Sequence, residues 1–168
     1  MAETGPRYRS VLFICAANTA RSVMAEYLTR RELAQRNLEQ QITVLSAGIA
    51  PYARDGALVS LETRLALREI GIELPEGASS TDLKRHPELL YGSDLVLAMT
   101  EQQLKELCEK FPLEYGGPEA YTLRSFVGEV GDIEDPSGQG FEGFTRCRDE
   151  IGRLTRRLVE RLASQRRT

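Results

Sequence analysis

One stretch constrains this chain more than any other. Val11-Leu12-Phe13-Ile14-Cys15 is apolar and partly β-branched, and Met24-Ala25-Glu26-Tyr27-Leu28 is helix-forming and free of Gly and Pro. The pattern predicts a buried strand that passes through a short turn into a helix. Cys15 stands at the entrance of that turn and Arg21-Ser22 at its exit. A thiol delivered by a strand to a helix N-terminus meets unpaired backbone N–H groups and the positive end of the helix dipole. Such a place binds anions and favours a thiolate. The stretch therefore reads as a phosphate-type pocket with a cysteine nucleophile in its floor.

The rest of the chain repeats the strand-then-helix alternation. The first helix is expected over 22–36, a second strand over 42–46 ended by Ala47-Gly48, and a loop over 49–56. Residues 57–70 return to helical spacing with Leu58, Leu61 and Leu65 on one face, and Gly71 follows as a C-cap. A short helix within 82–91, a third strand over 94–99 and a helix from 100 to 110 come next, Thr100 and Gln103 having capping-box spacing. A brief strand at 121–123, a helical turn at 125–127 and a long Gly-, Asp- and Pro-rich loop over 128–140 precede the last helix, 143–163. Its apolar stripe is Phe144, Cys147, Ile151, Leu154, Leu158 and Leu162. Alternating apolar strands and amphipathic helices predict an α/β domain, a parallel sheet with helices on both faces and right-handed crossovers. Ligands of such sheets bind beyond the carboxyl ends of the strands, where Cys15 sits.

No boundary divides the 168 residues, so one domain over 1–168 is expected, with flexible tails at 1–8 and 164–168. A net charge of −3 offers no global basic field for nucleic acid. Three scattered cysteines make no disulfide framework, and no run approaches the length of a membrane span. A reducing, cytoplasmic setting without membrane contact follows, and a monomer is favoured. With one histidine, no metal site is suggested. That histidine, His86, is expected at the surface, as is the arginine-rich face of the last helix.

Five residues separate Cys15 from Arg21. In a tight loop this spacing lets the backbone N–H groups of Ala16, Ala17, Asn18, Thr19, Ala20, Arg21 and Ser22 curl around one tetrahedral oxyanion. Arg21 would close the ring with a two-pronged grip on phosphate oxygens, which lysine does not reproduce. Cys15 would attack phosphorus in line with the leaving group, and the Ser22 hydroxyl would steady its thiolate. Asn18 is the loop residue best suited to a left-handed backbone without glycine.

Cys15-x-x-Asn18-x-x-Arg21-Ser22, followed by Met24-Ala25-Glu26, resembles the signature of the low-molecular-weight protein tyrosine phosphatases. Ser46-Ala47-Gly48, the strand at 94–99 and Asp135-Pro136 resemble further elements of that family, so the similarity spans about 10–162. The resemblance implies a four-stranded parallel sheet and hydrolysis of phosphomonoesters through a phosphocysteine, with no cofactor or metal and a phosphorylated protein or peptide as substrate. It implies Asp135 as general acid and base, Ser46 as support for Asn18, and Tyr52 as an aromatic wall beside the substrate.

The chain departs from the family pattern at Ala17, Ala20 and Val23, which stand where Gly, Cys and Pro are usual. Ala17 fits if its φ is negative. Without a cysteine at position 20, an oxidised Cys15 lacks its adjacent disulfide partner. Ser137 replaces the aromatic residue many relatives carry after Asp-Pro. Thr19 matches members that resemble protein-arginine phosphatases, whereas tyrosine-directed members often carry Ile there. Phosphotyrosine and phosphoarginine both stay open as substrates. The alternatives are an arsenate reductase of the same fold, which needs relay cysteines, and a phosphate-binding module of weakened activity. Cys108 and Cys147 fall on the apolar stripes of their helices and read as core residues.

Overall fold

The central strand β1 (Ser10–Cys15) pairs in parallel with β2 (Thr43–Gly48) on one side and β3 (Leu95–Ala98) on the other, and β3 carries β4 (Glu119–Thr122) at the far edge. The computed structural model describes residues 5–166. Helices α1 (Arg21–Gln35), α2 (Leu61–Arg68), α3 (Pro87–Tyr91), α4 (Glu101–Lys110), α5 (Leu123–Phe126) and α6 (Gly140–Ser164) connect and follow the strands. The sheet order is β2-β1-β3-β4 and all pairs are parallel, as the strand–helix alternation and the resemblance led one to expect.

A strand with a neighbour on each side and helices over both faces has no wet side, so β1 is apolar at every position but its first. Val11, Phe13 and Cys15 join the cluster that includes Met24 and Leu28 of α1 and Ile151, Leu154 and Leu158 of α6. Leu12 and Ile14 point the other way, into a cluster with Ile49, Leu90, Leu107 and Phe111. Leu12, Phe13 and Ile14 are fully buried, each contributing about 1.5–3 kcal/mol. Helices therefore cover both faces in three layers. Because all strands run the same way, Cys15, Gly48 and Ala98 end at one edge, with Cys15 beside Gly48 and Ile14 beside Ala98.

The second helix differs from its expected form. It spans only Leu61–Arg68, because 57–59 runs extended, with Leu58 bridged to Ser79, and Ser60 caps the helix by accepting from the Thr63 N–H. Its buried face is Thr63, Ala66 and Leu67, while Leu58, Leu61 and Leu65 are exposed rather than core. Small inward residues let α6 come close: buried Arg148 on that helix donates to the Ala66 carbonyl at 2.7 Å.

Cys108 is exposed, against its reading as core, since α4 turns Gln103 and Leu107 inward. Cys147 is buried. At the chain ends, Pro6 pairs with Arg166 and Tyr8 is buried, so the described parts of the expected tails are held; residues 1–4 and 167–168 lie outside the described residues. On the outer face of α6, Arg153 and Arg157 both grip Glu129, and their hydrogen bonds hold its carboxyl down at about 2.

Candidate active site

The turn after β1 wraps its backbone around the Cys15 thiol. The Asn18 N–H donates to Cys15 Sγ at 3.3 Å, and Ser22 Oγ lies 2.9 Å from the same sulfur. Asn18 Nδ2 donates to Ser22 Oγ at 2.8 Å and to Ser46 Oγ at 2.9 Å, so both amide hydrogens are used. Having accepted from Asn18, the Ser22 hydroxyl is left with its own proton to direct at the sulfur. The Asn18 Oδ1 accepts from the Thr81 N–H at 2.9 Å. One buried side chain thus ties the loop to β2 and to the segment at 81.

Asn18 has φ 59°, the left-handed conformation its short polar side chain tolerates. Among the described residues only Asn37 is the other non-glycine with positive φ, so Ala17 is not left-handed and its methyl is no strain. The α1 N-terminus carries no side-chain cap: Ala20 stands at the cap position, and the Met24 N–H closes on its carbonyl at 2.9 Å. An uncapped helix N-terminus leaves backbone N–H groups that can seat an anion.

The loop is also clasped from outside by 49–60. The Ala50 N–H donates to the Ala16 carbonyl at 3.0 Å, and at the other end the Ser60 N–H donates to the Thr19 carbonyl at 3.1 Å. Gly48 makes the first approach possible, since a Cβ there would stand 2.8 Å from the Ala16 oxygen. This collar is braced from below. Asp55 accepts from the Asp82 N–H at 2.8 Å and pairs with His86 Nε2 at 2.8 Å, and the Lys84 ammonium caps the Ala50 carbonyl. The hydrogen bond to Asp55 raises the pKa of His86 above its usual value, and the Asp82 N–H and His86 pull that of Asp55 below its own. His86 is thus half-exposed yet engaged as a brace. Tyr52 stands on the collar, exposed.

Asp135 comes from the opposite side. Its Oδ1 accepts from the Ser137 N–H at 3.0 Å, the turn-starting bond of an Asp in such a loop, and its Oδ2 lies 4.0 Å from Arg21 Nη2. Burial raises the carboxyl pKa, but the Ser137 hydrogen bonds and the Arg21 charge outweigh it and leave Asp135 below its ordinary value. Arg21 is itself nearly buried and gives Nη1 to the Ile133 carbonyl at 2.9 Å, with Nη2 on the side of Asp135.

Three contributors went unnoticed in the sequence. Glu26 accepts from the Ser46 hydroxyl and pairs with Arg30 at 2.6 Å; burial raises its pKa, against the pull of Ser46 and Arg30. Its place inside the motif was the available signal. The Ile133 carbonyl and the Thr81 N–H are backbone groups, and no residue pattern announces them.

A sequence model described as low molecular weight phosphotyrosine protein phosphatase matches residues 10–168. The chain belongs to that family. It is a cysteine-dependent low-molecular-weight protein phosphatase. A protein from Geobacillus stearothermophilus named protein-arginine-phosphatase is 36% identical over 92% of this chain and 97% of its own. A protein of the same name from Bacillus subtilis is 31% identical over 94% of this chain and 99% of its own. The crystal structure of a low molecular weight protein tyrosine phosphatase from T. tengcongensis superposes with a TM-score of 0.80 at 32% identity, covering 91% of this chain and 99% of that one. In this phosphatase no helix among the described residues is long and apolar enough to cross a membrane.

Proposed function

We propose that this phosphatase removes phosphoryl groups from arginine side chains of proteins through a phosphocysteine on Cys15. Thr19, a half-buried polar residue of the loop, supports a guanidinium-bearing substrate, as does likeness to two proteins named protein-arginine-phosphatase. The observation that carries the mechanism is the facing of Asp135 and Arg21, 4.0 Å apart, beside a loop whose Asn18 N–H donates to the Cys15 sulfur.

In the first step Cys15 Sγ attacks phosphorus, the P–N bond breaks, and the Asp135 carboxyl gives its proton to the departing guanidino nitrogen. In the second, water attacks the phosphocysteine, its proton passes to Asp135, and the S–P bond breaks to return the electron pair to sulfur and release phosphate. Arg21 and the loop amides of 16–22 hold the equatorial oxygens throughout. The Ser137 hydrogen bonds and, after them, the Arg21 charge hold the Asp135 carboxyl down; a phosphate dianion engages that guanidinium and adds its own negative charge, and both changes favour the protonated acid.

Tyr52 at the rim supports phosphotyrosine as the second reading. Against the reductase reading, which needs relay thiols, burial pushes the Cys147 thiol up to about 12. The joint presence of Cys15, Arg21 and Asp135 weighs against a mere binding module. Turnover of phosphoarginine, phosphotyrosine and p-nitrophenyl phosphate in parallel tests the proposal. A kcat/KM for phosphoarginine at least tenfold above that for phosphotyrosine, shifted toward phosphotyrosine by Thr19→Ile and abolished by Cys15→Ser, is the expected result. Inactivity on all three overturns it.

A further inference from the structure

We infer that Asp132 is a positioning residue: its carboxylate ties the loop that carries Asp135 to the first turn of α4 and so registers Asp135 against Arg21. This role rests on the proposed reading of Asp135 as the acid and names what holds that acid in place.

Bonds made within the loop of Asp135 cannot fix where the loop stands. The Ser137 N–H to Asp135 Oδ1 at 3.0 Å and the Gln139 Nε2 to the Asp135 carbonyl at 3.1 Å travel with it. Three bonds among the described residues tie 132–133 to the rest of the fold. Asp132 Oδ1 accepts from the Glu101 N–H at 2.9 Å, the Ile133 N–H donates to the Met99 carbonyl at 3.0 Å, and the Ile133 carbonyl accepts from Arg21 Nη1 at 2.9 Å. The first goes to the start of α4, the second to the residue after β3, and the third to the arginine itself. Two neighbouring residues therefore hold both the loop and the guanidinium. Asp135 follows Ile133 by two residues, no more than about 7 Å of extended chain. A shift at 132–133 is passed on to the 4.0 Å separation of Asp135 Oδ2 and Arg21 Nη2.

Packing secures only part of the loop. Ile133 and Pro136 are buried, but Glu134 and Asp135 between them are exposed. A cavity of about 320 Å³ opens between the loop and α6, with Glu134, Pro136, Cys147 and Glu150 on its wall. A segment with open space behind it depends on its hydrogen bonds to stay in place.

Of the three outward bonds, only that of Asp132 uses a side chain of the loop, so a substitution there removes it. The Glu101 N–H is one of the first-turn donors that a helix leaves unpaired, and the α4 cap Thr100 spends its hydroxyl on the Gln103 N–H at 3.1 Å. Asp132 and Thr100 thus serve the same helix end, but only Asp132 belongs to the acid loop. That difference separates positioning from helix stability.

The test measures kcat for a phosphoguanidino substrate and for p-nitrophenyl phosphate, whose leaving group needs little protonation, in Asp132→Ala, Asp132→Asn and Thr100→Ala. Calorimetry gives the affinity of each full chain for vanadate. Asp132→Ala should lower the phosphoguanidino kcat about tenfold more than the p-nitrophenyl phosphate kcat, and weaken vanadate about fivefold through Arg21. Asp132→Asn keeps the accepting oxygen and should restore both, whereas Thr100→Ala should lower the melting temperature and change neither. A substrate ratio unmoved by Asp132→Ala overturns the positioning role, and so does a ratio moved as far by Thr100→Ala. If Asp135→Asn fails to separate the two substrates, or the unaltered chain turns over neither, the acid reading falls and vanadate decides alone. Equal vanadate affinity of the unaltered chain and Asp132→Ala then overturns the positioning role as well, and a loss that Asp132→Asn restores upholds it.

Discussion

Asp135 and Arg21 face each other at 4.0 Å across the mouth of the Cys15 loop, one carried by a loop before the last helix and the other by the first turn of α1. Asp135 divides its oxygens, one closing its own turn on the Ser137 N–H and one turned to the guanidinium. Turn residue and proposed acid are thus one side chain with two uses.

The proton donor should matter in proportion to the basicity of the leaving group. Asp135→Asn keeps the turn-closing acceptor and removes the proton. Steady-state kinetics should show kcat for a phosphoguanidino substrate falling roughly 10²–10⁴-fold, and much less for p-nitrophenyl phosphate, whose leaving group departs readily as an anion. Equal losses on both would assign Asp135 to binding instead.

Gly48 sets the distance between β2 and the phosphate loop. Adding a methyl there brings it to 2.8 Å from the Ala16 oxygen and 2.9 Å from the Ala17 carbonyl carbon, both backbone atoms that move only with the loop. Gly48→Ala should destabilise the fold by about 1–3 kcal/mol in denaturant titration. It should also lower kcat/KM by roughly a hundredfold through displaced loop amides.

Peroxide should convert Cys15 to a sulfenic acid that finds no partner thiol. Ala20 takes the place of the adjacent cysteine, and burial pushes the Cys147 thiol up to about 12, leaving almost no thiolate to attack. Activity lost to brief treatment should return with dithiothreitol, and activity lost to prolonged treatment should not, with a mass gain of two oxygens on the Cys15 peptide. Full recovery after long exposure would show a resolving thiol at work.

The Asp55–His86 brace makes collar stability depend on pH. His86 binds its proton more tightly when folded, so its contribution is complete below the ordinary value of 6.5 and fades as pH rises through its raised value. Asp55 binds its proton more weakly when folded, so its contribution is present above its ordinary 3.8 and fades as pH falls through its lowered value. Glu88, 3.4 Å from His86 Nδ1, and Arg85, 3.8 Å from Asp55, complete the cluster. The difference in melting temperature between the unaltered chain and His86→Gln should be largest between those limits and vanish in mildly alkaline solution. A difference that stays constant with pH would mean that His86 acts by packing alone.

The sequence by itself determined the Cys15 loop and the sheet. An apolar run must be buried on both faces, and a cysteine, an arginine and a serine at fixed steps on one tight turn need no distant partner to share an anion. Asn18 was legible for the same reason, since its left-handed φ is a property of one residue. What spacing could not decide was which side of a helix faces in. Leu58, Leu61 and Leu65 have helical periodicity, yet α2 buries Thr63, Ala66 and Leu67 because α6 brings Arg148 against a closely packed face. Nor could it show that Glu26 lies behind Ser46, that Ile133 offers its carbonyl to Arg21, or that Asp55 and His86 brace the collar. Those contacts join residues distant in the chain, several through backbone atoms every residue carries, and only the closing of the sheet brings them within hydrogen-bond reach.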